Sequence, residues 1–479
     1  DKFMYEKLEL LINGQWRQGS EGKTEPVYNP ATGEVLGQVP HASTADLDEA
    51  LAASEKAYQV WRKETALNRQ KIMEKACRIL EDRFDEVAEN LTKEMGKPLV
   101  EAKMELGVAI DVIRWYGEEG KRVYGRTVLP RMAGMTQTVR KDPVGPVIAF
   151  VAWNFPALNV VRKVAGALAA GCSVIIKPSE ETPGTAIAIA RALTEAGVPD
   201  GAVNMVFGVP AEVSEHLCSS PIPRKLSFTG SVPVGIHLQK LAAENMIKCT
   251  MELGGHSPVM VFEDADIEKA AQIAVAGKFR NAGQVCVSPT RFLVQKSVHG
   301  QFVDAFVSAV DKLNIGDGMD EGTTMGPLIA DRRIDVMDGL VQDAVAQGAN
   351  LLRGGSRLNR EGSFYAPTVL DNVSDDARIM NDEPFGPVAP IDSFATVDEV
   401  VARANRLPFG LAAYAFTEDP ALISRLKDDV ETGLLAVNST VVSVPETPFG
   451  GIKHSGYGSE GGIEGLEAFL TTRFVTETY

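Results

Sequence analysis

At 479 residues, with 23% charged and 44% hydrophobic side chains, the chain has the composition of a folded enzyme and is long enough for two or three structural units. Its formal charge of −16, with no Lys/Arg cluster to neutralise a run of phosphates, argues against nucleic acid as a partner. The longest apolar stretch, VGPVIAFVAWNFPALNVV, is interrupted by Asn154 and Pro156 and is not read as a membrane span.

The first elements predicted along the chain are amphipathic helices between Ser43 and Glu94, with Thr44 and Asp46 as the expected cap residues of TADLDEALAASEKAYQVWRK. The segment Arg122 to Gly145 alternates like a strand but lies outside the rhythm that follows. From Pro143 to Val261, short β-branched runs (VIAFVAW, SVIIKP, VNMVFG, KLSFTG, KCTMEL) alternate with segments rich in Ala, Leu and Glu, the pattern of a parallel sheet wrapped by helices. A second alternating block runs from SPVMVF through RFLVQ to GLLAVN, with GQFVDAFVSAVDKL as an intervening helix. The tail AFLTTRFVTETY is again β-prone, and it is expected to pair with the 122–145 segment as an arm for subunit contact. No internal repeat is found.

Five cysteines, Cys77, Cys172, Cys218, Cys249 and Cys286, stand far apart, with no CxxC pair and no histidine at ligand spacing. Neither a disulfide framework nor a metal site is expected, and the expected location is cytoplasmic, without a secretory signal.

Four motifs carry chemistry. In KFRNAGQVCVS, Cys286 is either a small buried apolar residue or a nucleophile; Asn281, Gly283 and Gln284 are poor core material and would let substrate approach a sulfur. In TMELGG, Glu252 ends an apolar run before two glycines, where a carboxylate serves either as an acid–base group or as a solvated strand terminus. A thiol that attacks and a carboxylate that later activates water form a coherent pair. In AWNFPALNVVRK, the Asn154 amide either donates to a developing oxyanion or starts an ordinary turn. IIKPSEET and SFTGSVPVG each join a strand to a helix start: the second suits a pyrophosphate, and Lys177 and Glu180 suit ribose hydroxyls.

In this order and spacing, NPATGE, WNFP, KPSEETP, FTGS, MELGG, NAGQVC, NDEPFGPV and PFGGIKHSGYG resemble the aldehyde dehydrogenase superfamily over essentially the whole chain, and within it the NAD(P)-dependent succinate-semialdehyde and 2-oxoglutarate-semialdehyde dehydrogenases. The fold this implies is α/β: a Rossmann-like cofactor domain over 1–121 and 146–253, an α/β catalytic domain over 254–449, and a β oligomerisation arm with the C-terminal tail over 122–145 and 450–479. The resemblance implies Cys286 as nucleophile, Glu252 as general base and Asn154 as oxyanion donor, a homodimer or homotetramer, and contacts to a nicotinamide dinucleotide from Trp153, Lys177, Ser179, Glu180, Gly230, Ser231, Glu383 and Phe385. Glu180, with Glu181 as a second negative charge nearby, would repel a 2′-phosphate, so NAD is expected over NADP. The same resemblance places Arg162, Arg280 and Ser443 around a far carboxylate of the substrate, a task suited to the planar guanidinium fork. The alternatives are that both arginines make structural ion pairs and that the substrate is an uncharged aliphatic or aromatic aldehyde. A non-catalytic homologue is disfavoured by the presence of Cys286, Glu252 and Asn154, and a coenzyme A-acylating enzyme by that of Glu252. Ser288 stands where some relatives carry a second, redox-active cysteine, so no such disulfide is expected.

Overall fold

The computed structural model describes residues 3–479. Two large sheets organise the chain. The first runs in the spatial order Gln15–Arg17, Leu10–Ile12, Val203–Met205, Val174–Lys177, Val147–Phe150, Lys225–Thr229, Lys248–Glu252, Gly456–Tyr457. Its five central strands are parallel and its flanking pairings antiparallel. VIAF and VIIK are buried at every residue, as strands covered on both faces by helices must be. The chain winds outward in one direction from Val147–Phe150 to Val203–Met205, then returns to lay Lys225–Thr229 on its other side. A crevice opens where the winding direction reverses, at the carboxyl ends of these two neighbouring strands, and this is where open α/β sheets bind ligands.

The second sheet has seven strands, in the order Asn350–Arg353, Thr368–Asp371, Val388–Phe394, Pro289–Gln295, Ser257–Val261, Ala412–Phe416, Leu434–Val437. Only its Asn350–Arg353 edge is antiparallel. Each sheet lies in its own apolar core, one centred on residues such as Ile148 and Leu168, the other on residues such as Met260 and Phe292. Between them Glu252 ends the seventh strand of the first sheet, Gly254 and Gly255 cross over, and Ser257 begins the second sheet. Glu252 therefore sits at the seam between the two cores.

The two β-prone segments do pair. Leu470–Thr478 runs antiparallel to Met135–Pro143 from Leu470 opposite Pro143 to Thr478 opposite Met135, and Arg126–Val128 completes a three-stranded sheet. The rest of the C-terminal span is used differently: Gly456–Tyr457 pairs with Met251 and Glu252 at the edge of the first sheet.

The structure corrects the first helix cap. The helix spans Thr44–Trp61, and its cap is Ser43, whose hydroxyl accepts the Asp46 N–H while the Asp46 carboxylate accepts the Ser43 N–H. This reciprocal arrangement satisfies two end groups at once, which Thr44 one position later could not.

Candidate active site

The turn before Cys286 is strained and tightly held. After the Ile267–Phe279 helix, Asn281, Ala282 and Gly283 adopt left-handed backbone at φ 50°, 53° and 77°. A side chain at 283 would meet the Gly386 carbonyl oxygen at 2.1 Å, so glycine is required there. The amide residues that looked like substrate-facing loop are buried scaffold. Asn281 Nδ2 donates to the Asn154 and Gln284 carbonyls at 3.0 and 3.2 Å, Gln284 Nε2 donates to the Asn281 carbonyl at 3.0 Å, and Gln284 Oε1 accepts the Ile329 N–H at 3.0 Å. This network sets Cys286, partly buried, into the wall of a cavity of about 150 Å³.

Glu252 lines the same cavity, 3% exposed, and neither of its carboxylate oxygens has a hydrogen-bond partner among the described residues. Burial, followed by the nearby Glu460 carboxylate, raises its pKa well above the ordinary carboxylate range; Lys163 and Arg162 act in the opposite direction. A buried carboxyl left unpaired is costly, and such groups gather at working sites. Cys286 is pushed up to about 12, first by burial, then by the charge of Glu383, with Glu252 adding to the rise and Arg162 and Arg280 opposing it. Asn154 is buried against the same turn: its Nδ2 donates to the Gln284 carbonyl at 3.2 Å and its Oδ1 accepts from Asn159 at 3.3 Å. It stands beside the 150 Å³ cavity without lining it.

Arg162, Arg280 and Ser443 join Cys286 and Glu252 around this cavity. The Arg162 guanidinium donates to the Ser443 hydroxyl and lies 4.4 Å from the Phe449 ring centroid, while Arg280 lies 5.5 Å from that of Phe155. Neither arginine forms an ion pair among the described residues, so the structural-pair alternative is not what the fold uses.

The crevice at the first sheet's winding reversal is a cavity of about 1210 Å³, lined by Trp153, Lys177, Ser179, Glu180 and Gly230 together with Phe150 and Thr229 at the two strand ends. Lys177 Nζ donates to both Glu180 oxygens at 3.0 and 3.2 Å, and the Gly208 N–H reaches Glu180 at 3.3 Å. Ser231 caps the Val232–Glu244 helix by position only, its side chain making no cap bond. Ser231, Glu383 and Phe385 do not line this cavity. Glu383 instead accepts the Gly255 N–H at 2.7 Å and is raised to about 7, chiefly by burial. The Phe385 ring stands edge-on to Trp153 at 5.5 Å. The volume, the paired Lys177 and Glu180, and a helix start without a side-chain cap fit a dinucleotide.

The profile described as "Aldehyde dehydrogenase family" matches residues 16–475. The chain belongs to the aldehyde dehydrogenase family. It is an NAD(P)-dependent aldehyde dehydrogenase with that family's fold. It is 47% identical over 472 residues to 4-(hydroxymethyl)benzenesulfonate dehydrogenase of Comamonas testosteroni, covering 98% of each chain. It is 41% identical over 469 residues to the NADP-dependent succinate-semialdehyde dehydrogenase of Escherichia coli, covering 98% of this chain and 97% of that one. The crystal structure of succinate-semialdehyde dehydrogenase from Burkholderia pseudomallei superposes with a TM-score of 0.98 at 40% identity, over 100% of this chain and 99% of the other. Among the described residues of the dehydrogenase, no helix is long and apolar enough to cross a membrane.

Sequence reasoning missed several residues that meet at these two cavities. Glu101, Glu105 and Lys97 come from upstream of the first sheet's parallel strands, and Glu460 and Phe449 from the C-terminal region; all line the 150 Å³ cavity of the dehydrogenase. Lys163, fully buried, joins Glu460 at 3.3 Å and the Ser227 hydroxyl at 2.9 Å. At the larger cavity, Arg332 holds Glu181 in a two-pronged contact at 2.6 and 2.9 Å. Of these only Lys163 carried a usable local signal, a cation within the apolar helical run NVVRKVAGALAA.

Proposed function

We propose that this dehydrogenase oxidises an aldehyde that carries a remote acid group, through a covalent intermediate on Cys286. The observation that carries the reading is the convergence of Arg162, Arg280 and Ser443 on the cavity that also holds Cys286 and Glu252. The Cys286 sulfur, as thiolate, attacks the aldehyde carbon. The Cys286 backbone N–H and the Asn154 amide N–H that Gln284 leaves free would donate to the resulting alkoxide, a kind of contact whose loss typically raises a barrier by about 2.7 to 4 kcal/mol. When bound, the dinucleotide supplies the hydride acceptor that allows the hemithioacetal to become a thioester. Glu252, as carboxylate, then takes a proton from the water that releases the acid.

Succinate semialdehyde and 2-oxoglutarate semialdehyde are the proposed substrates. A second reading, an aryl aldehyde bearing an acid group, is favoured by the Phe155, Phe449 and Leu158 walls and by the relative named for a benzenesulfonate. The deciding comparison is kcat/KM for succinate semialdehyde, 2-oxoglutarate semialdehyde, 4-formylbenzenesulfonate and benzaldehyde, in wild type and in Arg162→Ala and Arg280→Ala. Each variant is expected to lose about 10- to 100-fold on the anionic aldehydes, the worth of a charge-assisted contact, and little on benzaldehyde. A wild type that prefers benzaldehyde, with variants unchanged, refutes the anion reading.

NAD is proposed over NADP. Lys177, Ser179, Glu180 and Trp153 would hold the dinucleotide, with Gly230 and Ser231 at its pyrophosphate and Glu383 and Phe385 near its reacting end. Glu180 is buried and pinned by Lys177 and Gly208, so it is not free to swing away from a 2′-phosphate. Glu180→Gln is expected to raise the ratio of kcat/KM with NADP to that with NAD by about tenfold, the scale of one partly screened like-charge contact. An unchanged ratio removes Glu180 as the discriminator.

The arm displays Leu129 and Phe474 at 93% and 60% exposure, which supports assembly as a homodimer or homotetramer. The proposed setting is the cytoplasm.

A further inference from the structure

We propose that Glu101 is a positioning residue that fixes the turn carrying the nucleophile and sets the charge of the cavity the aldehyde enters. The inference rests on Cys286 being that nucleophile and, for the cavity's charge, on the substrate being an anionic aldehyde. Glu101 lies in the first turn of the Leu99–Glu119 helix, and its Oε1 accepts the Asn281 N–H at 2.8 Å. Asn281 is the first of the three left-handed residues that lead to Cys286. Left-handed backbone is unfavourable for non-glycine residues, so Asn281 and Ala282 hold it only where their surroundings impose it. The imposed contacts are the Asn281 side chain on Asn154 and Gln284, Gly283 against Gly386, and the Glu101 carboxylate on the turn's leading N–H. A carboxylate makes the stronger, charge-assisted bond.

Residues four apart share a helix face, which aligns Glu101 with Glu105, and Lys97, before the helix, lines the same cavity. Lys97 Nζ donates to Glu105 Oε1 at 2.6 Å and lies 3.9 Å from the Phe155 ring centroid. Glu105 Oε2 accepts the Ala157 and Leu158 N–H groups at 2.8 and 3.1 Å, at the start of the helix that bears Arg162. One helix face thus braces both the nucleophile turn and the arginine helix. All three side chains line the cavity of Cys286 and Arg280. Glu105 is matched directly by Lys97 and by a helix start, whereas Glu101 accepts one backbone N–H and stands as a negative group in a cavity that receives anions. Burial raises its pKa, with Lys97 and then Arg280 among the groups that lower it.

Glu101→Leu and Glu101→Gln separate the two roles, because only glutamine keeps an oxygen acceptor for Asn281 while losing the charge. The leucine variant is expected to lose about 10- to 100-fold in kcat on benzaldehyde and succinate semialdehyde alike, the scale set by misplacing a reacting atom by about 1 Å. The glutamine variant is expected to keep kcat within about twofold and to lower KM for succinate semialdehyde by about threefold, with KM for benzaldehyde unchanged. Wild-type kcat in a folded leucine variant, confirmed by its melting temperature, overturns the proposal. So does a glutamine variant that falls as far as leucine, or, where wild type prefers the anionic aldehydes, one whose KM values do not split. If leucine does not fold, the glutamine variant decides alone. Failure of the anion reading would leave the kcat loss on benzaldehyde intact, whereas failure of the Glu101 role would abolish it.

Discussion

Cys286→Ala abolishes aldehyde-dependent NADH formation, with kcat falling by at least about 10⁴-fold, because no remaining group can form the thioester. The expectation is unusually free of substitutes. Cys77, Cys172 and Cys218 are buried away from both cavities, and Cys249 lines neither. The substitution removes one sulfur from a partly exposed site, so the fold survives it and dinucleotide binding persists. The measurement is the burst and steady-state absorbance of NADH with succinate semialdehyde in excess, alongside a titration of the variant with NAD. Steady turnover in the variant, at even a few per cent of wild type, removes Cys286 from the chemistry.

Glu252→Gln separates the two halves of the reaction. Attack and thioester formation do not require the carboxylate, so a burst of NADH remains, while the steady state slows by about 10²- to 10⁴-fold for want of a base. The pH dependence follows from the same residue. Glu252 works only as carboxylate, and burial together with Glu460 raises its pKa. Wild-type kcat therefore rises with pH, and as pH falls it is lost earlier than a solvent-exposed glutamate would require. In the glutamine variant this limb disappears. A variant with wild-type kcat, or one that keeps the wild-type acid limb, would assign the base to another group. Measuring burst amplitude and kcat from about pH 5 to 9 covers both outcomes.

Much of the fold was legible because buried parallel strands are a local property of sequence. VIAF, VIIK, KLSFT and SPVMV each read as short strand-like runs, and each is a strand, the first three in the first sheet and SPVMV in the second. The pairing of the 122–145 segment with the tail was legible too, since both alternate at strand period and neither fits the α/β rhythm. The first cap was misplaced by one residue because Thr44 and Ser43 have equivalent hydroxyls. Only the reciprocal bonds with Asp46 tell them apart.

The site divides in the same way. Cys286 and Glu252 were nameable from motifs, Arg162, Arg280 and Ser443 only through the family resemblance, and all five meet around one cavity. Asn281 and Gln284 were named for the wrong reason: their amides are buried struts rather than surfaces for substrate. Glu101 and Glu460 left no trace, because a single carboxylate in a helix or glycine-rich loop looks like solvated surface until its neighbours are known; Lys163 left only its place in an apolar helical run.

By itself, the order of motifs determined the family, the α/β class and the residue types available for chemistry, because each depends on short stretches of chain. Tertiary structure alone decided that Glu252 is unpaired beside Glu460, that Gly283 faces Gly386 across a gap no side chain fits, and that Glu101 holds Asn281. These are meetings of segments far apart in the chain. Burial and charge at the seam between the two cores, which set how readily Glu252 and Cys286 ionise, are properties of the packing and not of any local pattern.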